Sequence, residues 1–232
     1  MARLVTGLDS ARVRARLEEA RERVAAACER SGRPVDAVEL LAATKYVPEE
    51  ELGVLAEAGV DLVGENTAQA LEAKQERWGD RFTWDFIGHL QSRKTREVLP
   101  RVRLIHSVES ESVMRQIDRH ATGPIHVLLE VNVAGEQSKH GVPPGEVDRF
   151  LETAAGYESV RFGGLMTMPP LVHDPEEARP YFAALREIAE RLEPEWGQAH
   201  DFSVLSMGTS QDYEVAVEEG ATICRLGTVL YR

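Results

Sequence analysis

Lysine, cysteine, long apolar runs and net positive charge are all scarce in this sequence, and each shortage excludes something. There are four lysines, Lys45, Lys74, Lys94 and Lys139, against twenty-three arginines, so lysine is not the default cation. Two cysteines, Cys28 and Cys224, are too few for a disulfide framework and point to free thiols in a reducing compartment. Cys224 reads as buried packing. No apolar stretch approaches the roughly 18 residues of a membrane span. The opening MARLVTGLDSARVRARLEEA turns charged before a signal core could form, so a cytoplasmic protein with no membrane partner is expected. The seven histidines show neither HxxxH nor CxxC-type partner spacing, which predicts no metal. The formal net charge of −12, from 27 basic and 39 acidic residues, argues against nucleic acid or an anionic membrane as a partner. Arg93, Lys94 and Arg96 accordingly read as one solvated helix face.

What is present centres on VELLAATKYVP, Val38 to Pro48. Val38, Leu40, Leu41, Ala42 and Ala43 predict a short buried strand, because strands of parallel sheets are nearly continuous apolar runs. Pro48 fits the first turn of a following helix. Lys45 stands at the strand's carboxyl end with its stem among apolar neighbours, where desolvation favours the free amine that a Schiff base requires. A lysine at a strand end is more commonly a snorkelling surface residue, and this stretch alone leaves both readings open.

Around it the chain alternates. Asp9 or Ser10 caps a first helix whose apolar residues Val13, Leu17, Ala20, Val24 and Ala27 recur at helical spacing until Ser31 and Gly32. Further strands are expected from Leu62, at Thr83 to Gly88, Leu104 to Val108, Ile125 to Asn132, Arg161 to Met168, Phe202 to Gly208 and Ile223 to Thr228. Helices are expected at Glu49 to Ala58, Ala68 to Trp78, around Lys94 to Val98, from a Ser110 cap through His120, at Glu146 to Ala155, to about Leu192, and at Asp212 to Glu219. The start of the helix ending near Leu192 is ambiguous: either Pro180 lies in its first turn, or a turn from Pro175 is kinked there. The paired glycines Gly163 and Gly164 suggest close approach of another backbone or a ligand.

Eight strands, each but the last followed by a helix, predict an α/β fold of the (β/α)8 TIM-barrel type with an extra N-terminal helix, in one domain spanning 1–232. An open doubly wound sheet is the alternative, but no GxGxxG follows the first strand, which disfavours its dinucleotide-binding version. In a barrel, Lys45, Asn66, Ser206, Arg225, Gly227 and Thr228 fall on or beside the carboxyl-end face, where barrel active sites lie. SMGTS, Ser206 to Ser210, and RLGT, Arg225 to Thr228, occupy the seventh and eighth loops, the common phosphate site of barrels. A plain Gly-Ser turn is the competing reading of each. An amine on strand one beside a phosphate cradle on strands seven and eight suits pyridoxal phosphate.

Several stretches in order carry a resemblance: AATKYVP, GEN (Gly64 to Asn66), WDFIGHLQSRK (Trp84 to Lys94), SKHG (Ser138 to Gly141), GLMTM (Gly164 to Met168) and SMGTSQDYEVAVEEGATICRLGT. Over nearly its full length the chain resembles the pyridoxal-phosphate homeostasis proteins, single-barrel relatives of the cofactor-binding domain of alanine racemase. The resemblance implies a fold-type III barrel binding pyridoxal 5'-phosphate. In it Lys45 forms the Schiff base, Ser206, Gly227 and Thr228 bind phosphate, and Asn66 and Arg225 line the cofactor. There are two departures: Asp85 stands where the family usually has histidine, and Val47 where many members carry a second lysine. Lys139 matches a family lysine and reads as an exposed loop residue, with contact to a second cofactor or a partner as the other reading. His106 either approaches the mouth or is a satisfied core histidine.

The resemblance implies a non-catalytic carrier that buffers the aldehyde and hands it to recipient apoenzymes, working as a monomer. The alternative is a pyridoxal-phosphate-dependent racemase or decarboxylase; a cofactor-free Schiff-base aldolase is the third reading. Two features weigh against the enzyme. The chain ends soon after its eighth strand, where racemases of this fold add a β-domain. Arg225, facing a pyridine nitrogen, would oppose its protonation and weaken the electron sink.

Overall fold

The computed structural model describes residues 4–136 and 140–232. Eight strands, β1 (Glu39–Ala43), β2 (Leu62–Glu65), β3 (Thr83–Phe86), β4 (Leu104–Val108), β5 (Ile125–Glu130), β6 (Val160–Met166), β7 (Val204–Thr209) and β8 (Ile223–Leu226), pair in parallel and in sequence order. The first strand pairs with the last, Leu41 opposite Arg225, and closes the barrel. The (β/α)8 expectation holds, and the open sheet is excluded because β1 and β8 are neighbours.

The helices are α1 (Ser10–Arg30), α2 (Leu52–Glu57), α3 (Ala68–Trp78), α4 (Thr95–Val98), α5 (Glu111–His120), α6 (Val147–Ala154), α7 (Arg179–Trp196), α8 (Tyr213–Glu218) and α9 (Thr228–Tyr231). Helix α1 starts where Asp9 accepts the Arg12 amide through its side chain, and stops where Gly32 takes φ of 68°. Its apolar stripe, Val13, Leu17, Ala20, Val24 and Ala27, is buried as its spacing predicts.

Some expectations change in detail, and the ambiguity at Pro180 resolves. Ser110 holds the N-cap position of α5, but its hydroxyl contacts Ser112 Oγ instead of a helix amide. Pro180 lies in the first turn of α7, and Pro175 starts a separate 3-10 turn before it. That helix continues past Leu192 to Trp196, with Pro194 inside its last turn. The eighth strand is followed by a helix after all, the single turn α9.

Alternation along the strands sorts the core into two parts. Leu41, Leu62, Leu104, Leu128, Met166 and Ile223 pack inside the barrel, while Ala42, Val63, Trp84, Ile105, Val127 and Cys224 face the helices. Gly164 bears out the close approach expected of the glycine pair: at φ 155°, a Cβ there would lie 1.8 Å from Val204 O. No helix among the described residues is long and apolar enough to cross a membrane.

Candidate functional site

A cavity of about 340 Å³ opens at the carboxyl ends of β1, β2, β7 and β8, within the range of about 300–1,000 Å³ typical of small-ligand sites. Its walls combine apolar side chains such as Val5, Ile87 and Met168 with Lys45, Asn66 and Arg225. The β7 and β8 loops contribute Thr209, Ser210, Gly227 and Thr228. Five of the six candidate residues therefore share one cavity, because closing the barrel sets β1 beside β8 and β8 beside β7.

Lys45 follows Leu41 and Ala43 at period two and lines the cavity, but it is exposed, its ammonium 5.0 Å from the centroid of the Tyr46 ring. The expected desolvation by apolar neighbours is not found there, because Lys45 lies two residues beyond β1, outside the packed barrel. Burial falls instead on Lys74 of α3. Its ammonium donates to Thr44 O at 2.8 Å and to Glu65 Oε1, while Thr44 Oγ1 donates to the same carboxylate oxygen at 2.5 Å. This buried cluster clamps the ends of β1 and β2, each one residue before a cavity residue, Lys45 and Asn66.

Ser206 is the candidate that the structure does not bring to the cavity. It is fully buried inside the barrel, where its hydroxyl accepts from Arg225 Nη1 at 2.6 Å and lies 2.8 Å from His106 Nδ1. It therefore stands apart from the five candidates that line the cavity. Ser210, from the same SMGTS stretch, takes its place on the wall, and its Oγ accepts from the Gly227 and Val229 amides at 2.9 and 3.3 Å. Sequence could mark the stretch but not which serine faces outward, since Gly208, at φ 89°, breaks the alternation between them.

Arg225 is 5% exposed and pinned by the protein, with Nη1 on Ser206 O and Nη2 on Thr167 O at 2.8 and 2.7 Å. Desolvation lowers its pKa from the ordinary arginine value, which leaves a guanidinium charged. Behind it lies His106, whose identity as a core histidine is now settled. Arg225 donates to Ser206, whose hydroxyl can donate to Nδ1, so that Nε2–H points to Asp85 Oδ2 at 3.1 Å. Burial lowers the histidine's pKa, outweighing the raising effect of Asp85, consistent with this neutral tautomer. Asp85, the departure from the resemblance, also takes a bidentate contact from Arg103, at 3.0 and 2.8 Å. Burial alone would raise its pKa, but the His106 and Arg103 hydrogen bonds bring it below the ordinary carboxylate value.

Three features fit the cavity to pyridoxal phosphate. Asn66 Oδ1 and the Tyr231 hydroxyl are buried without hydrogen-bond partners, a cost that a polar ligand relieves. A Cβ built on Gly227 meets no atom within 4 Å, so that glycine leaves open space at the loop. The donors lining it include the cations Lys45, Arg225 and Arg232 and the hydroxyls of Thr209, Ser210 and Thr228, and among the described residues no Asp or Glu lines it. That donor set suits an anion beside an apolar ring. Lys139 lies outside the described residues. Lys94 pairs with Glu97 at 2.8 Å, and Arg93 reaches Gln91 at 3.0 Å.

The profile of the family described as alanine racemase, N-terminal domain, matches residues 9–232. A protein of Aquifex aeolicus named pyridoxal phosphate homeostasis protein is 41% identical over 220 residues, spanning 93% of this chain and 96% of its own. Among solved structures, an unknown protein from Bifidobacterium adolescentis matches with a TM-score of 0.85 at 32% identity, over 99% of this chain and 100% of its own. PipY of Synechococcus elongatus, with PLP bound, matches with a TM-score of 0.79 at 33% identity, over 91% and 99%.

Proposed function

The chain belongs to the pyridoxal phosphate homeostasis proteins, within the alanine racemase N-terminal domain family, and from that premise we propose that it holds pyridoxal 5'-phosphate as a Schiff base on Lys45. In this reading residues 1–232 act as one cofactor-binding domain, a cytoplasmic monomer that buffers the aldehyde and delivers it to recipient apoenzymes without appreciable turnover. The observation that carries it is the shared cavity: an exposed amine on the β1 side faces the hydroxyl- and amide-rich loops after β7 and β8. When bound, the cofactor supplies an aldehyde for that amine and a phosphate for those loops.

The chain's own residues then divide the work. Lys45 offers its amine, which the exposure of the mouth leaves open to exchange. Thr228, Gly227 and Ser210 receive the phosphate, and Asn66 Oδ1 gains the partner it lacks. Arg225 presents a positive charge fixed by Ser206 and Thr167, which opposes protonation of a facing pyridine nitrogen and so disfavours a carbanion at a substrate's Cα. Tyr46, Met168 and Leu171, at 40%, 49% and 85% exposure, form an apolar rim that a recipient protein would cover during transfer.

Borohydride reduction followed by peptide mass mapping is the test. The expected product carries the pyridoxyl-phosphate mass on Lys45 and disappears in Lys45→Ala; an adduct confined to Lys74, Lys94 or Lys139 would overturn the assignment. Deuterium exchange at Cα of alanine and other amino acids separates carrier from enzyme. The expectation is no exchange above background, and rapid Lys45-dependent exchange would establish the racemase or decarboxylase reading instead.

A further inference from the structure

Away from the cavity, three side chains that sequence spacing left unconnected meet where β3, β4 and β5 reach the mouth. His89 Nδ1 lies 2.8 Å from Glu109 Oε1, and His140 Nδ1 lies 2.9 Å from the same oxygen. The two imidazoles stack at 4.0 Å between centroids and 20° between planes, so both direct their Nδ1 atoms toward one point. The three ligand atoms all lie within 4.8 Å of one another. Tetrahedral coordination at zinc's usual bond lengths of about 2.0–2.2 Å separates ligand atoms by roughly 3.3–3.5 Å, so small side-chain rotations bring all three onto one ion.

The supports of these side chains are rigid. Gly88, next to His89, packs so closely that a Cβ would lie 2.1 Å from Asn66 O, and Ser107 donates to its carbonyl. His140 precedes Gly141, which holds φ of 109° against the Val131 and Asn132 backbone. Val131 and Val142 form a parallel bridge beside it. The Gly141 amide donates to Glu109 Oε2, fixing the carboxylate so that Oε1 faces the histidines. Glu109 is 14% exposed and the histidines 42% and 58%, which leaves a path for an ion and open coordination positions.

We propose that His89, Glu109 and His140 form a binding site for a divalent transition metal of the zinc class. Two imidazoles and one carboxylate match that borderline chemistry, whereas calcium and magnesium take oxygen ligands. On binding, each neutral imidazole moves its proton from Nδ1 to Nε2 and offers the freed lone pair, and Glu109 exchanges two hydrogen bonds for one ionic contact. Three protein ligands leave a further position for water or an anionic group. Cys28 and Cys224 are buried and do not compete for the ion. The ion would tie together the segments following β3, β4 and β5, on the opposite side of the mouth from Lys45.

The test uses the untagged full-length protein, dialysed against chelator and titrated with zinc by calorimetry, with cobalt as an optical probe. One saturable equivalent is expected, weakened roughly a hundredfold or more in His89→Gln/His140→Gln. Cobalt should give the d–d absorption of a four- or five-coordinate site in the wild type, and circular dichroism should confirm that the half-exposed substitutions leave the fold intact. Absence of a saturable equivalent, equal zinc binding by the double variant, or a six-coordinate aqua-like cobalt spectrum in the wild type would each overturn the proposal. The spectrum decides even where the variant fails to fold. None of these readouts depends on Lys45 or on its cofactor.

Discussion

A single hydrogen atom is all that Gly227 presents to the cavity at the β8 loop. A Cβ there would meet nothing within 4 Å. No neighbouring atom blocks a side chain at this position, and a larger one would occupy ligand space. Gly227→Ala should retain pyridoxal phosphate more weakly than wild type in equilibrium dialysis, with circular dichroism checking that the fold is kept. Thr228→Val is the complementary change. It removes one hydroxyl donor to an anion, worth about 1.5–3 kcal/mol, so a loss of roughly 10- to 100-fold in affinity is expected. Unchanged retention in both variants would put the phosphate elsewhere. Ser206→Ala carries a different expectation from the one its sequence position suggests: it removes the hydroxyl linking Arg225 to His106, and its first effect belongs to stability.

At the scale of elements, α3 reaches under the mouth through Lys74. Its stem crosses to Thr44 O on the β1 side and Glu65 on β2, and Asn66 N donates back to Glu65 Oε2 at 3.3 Å. With Lys74 at 5% and Glu65 at 1% exposure, water cannot replace a lost partner. Lys74→Met strands a buried carboxylate and should cost about 3–5 kcal/mol in urea unfolding; the double variant Glu65→Gln/Lys74→Met, without the buried charge, should recover much of it. A loss below about 1 kcal/mol in the single variant would show that the clamp does not carry the strand ends. The scarcity of lysine drew notice to four positions in the sequence. Only the packing of α3 against β1 and β2 shows that one of them is a structural cation.

Across the whole barrel, a continuous run of polar contacts joins the two ends. Glu39 at the start of β1 meets Arg103 at 2.8 Å, Arg103 meets Asp85, Asp85 meets His106, and Ser206 links His106 to Arg225 at the cavity. Its titration has a definite sign. The folded pKa of His106 lies below 6.5, so the unfolded chain protonates first on acidification. His106 thus contributes stability that is fully present above about pH 6.5 and lost as pH falls, by at most about 1.4 kcal/mol per pH unit. Glu130 runs oppositely: burial, reinforced by Glu109, raises its pKa to about 7, so its contribution is complete below about pH 4.5 and lost as pH rises through 7. Between pH 5 and 6.5 the stability of wild type minus that of His106→Gln should therefore grow with pH, while the same difference for Glu130→Gln should shrink. Parallel pH profiles for wild type and both variants in urea titrations would refute the assignment. Asp85, lowered in the folded state, adds its loss only in more acidic solution, as pH falls through its depressed value.

Local order in the chain was enough to specify the strand and helix alternation, the buried stripe of α1 and the close approach at Gly164. Those follow from hydrophobic period, glycine stereochemistry and the parallel pairing of successive strands, all properties of neighbouring residues. The orientation of individual polar side chains was a tertiary decision. Gly208 turns the chain so that Ser210 reaches the cavity wall while Ser206 stays inside; α3 buries Lys74 and leaves Lys45 in solvent; and Asp85 is held where Arg103 and His106 converge on it. His89, Glu109 and His140 make the same point, being separated along the chain by 20 and 31 residues and joined only at the barrel mouth. Burial and hydrogen-bond satisfaction depend on which strands closure brings together, and no local spacing encodes that.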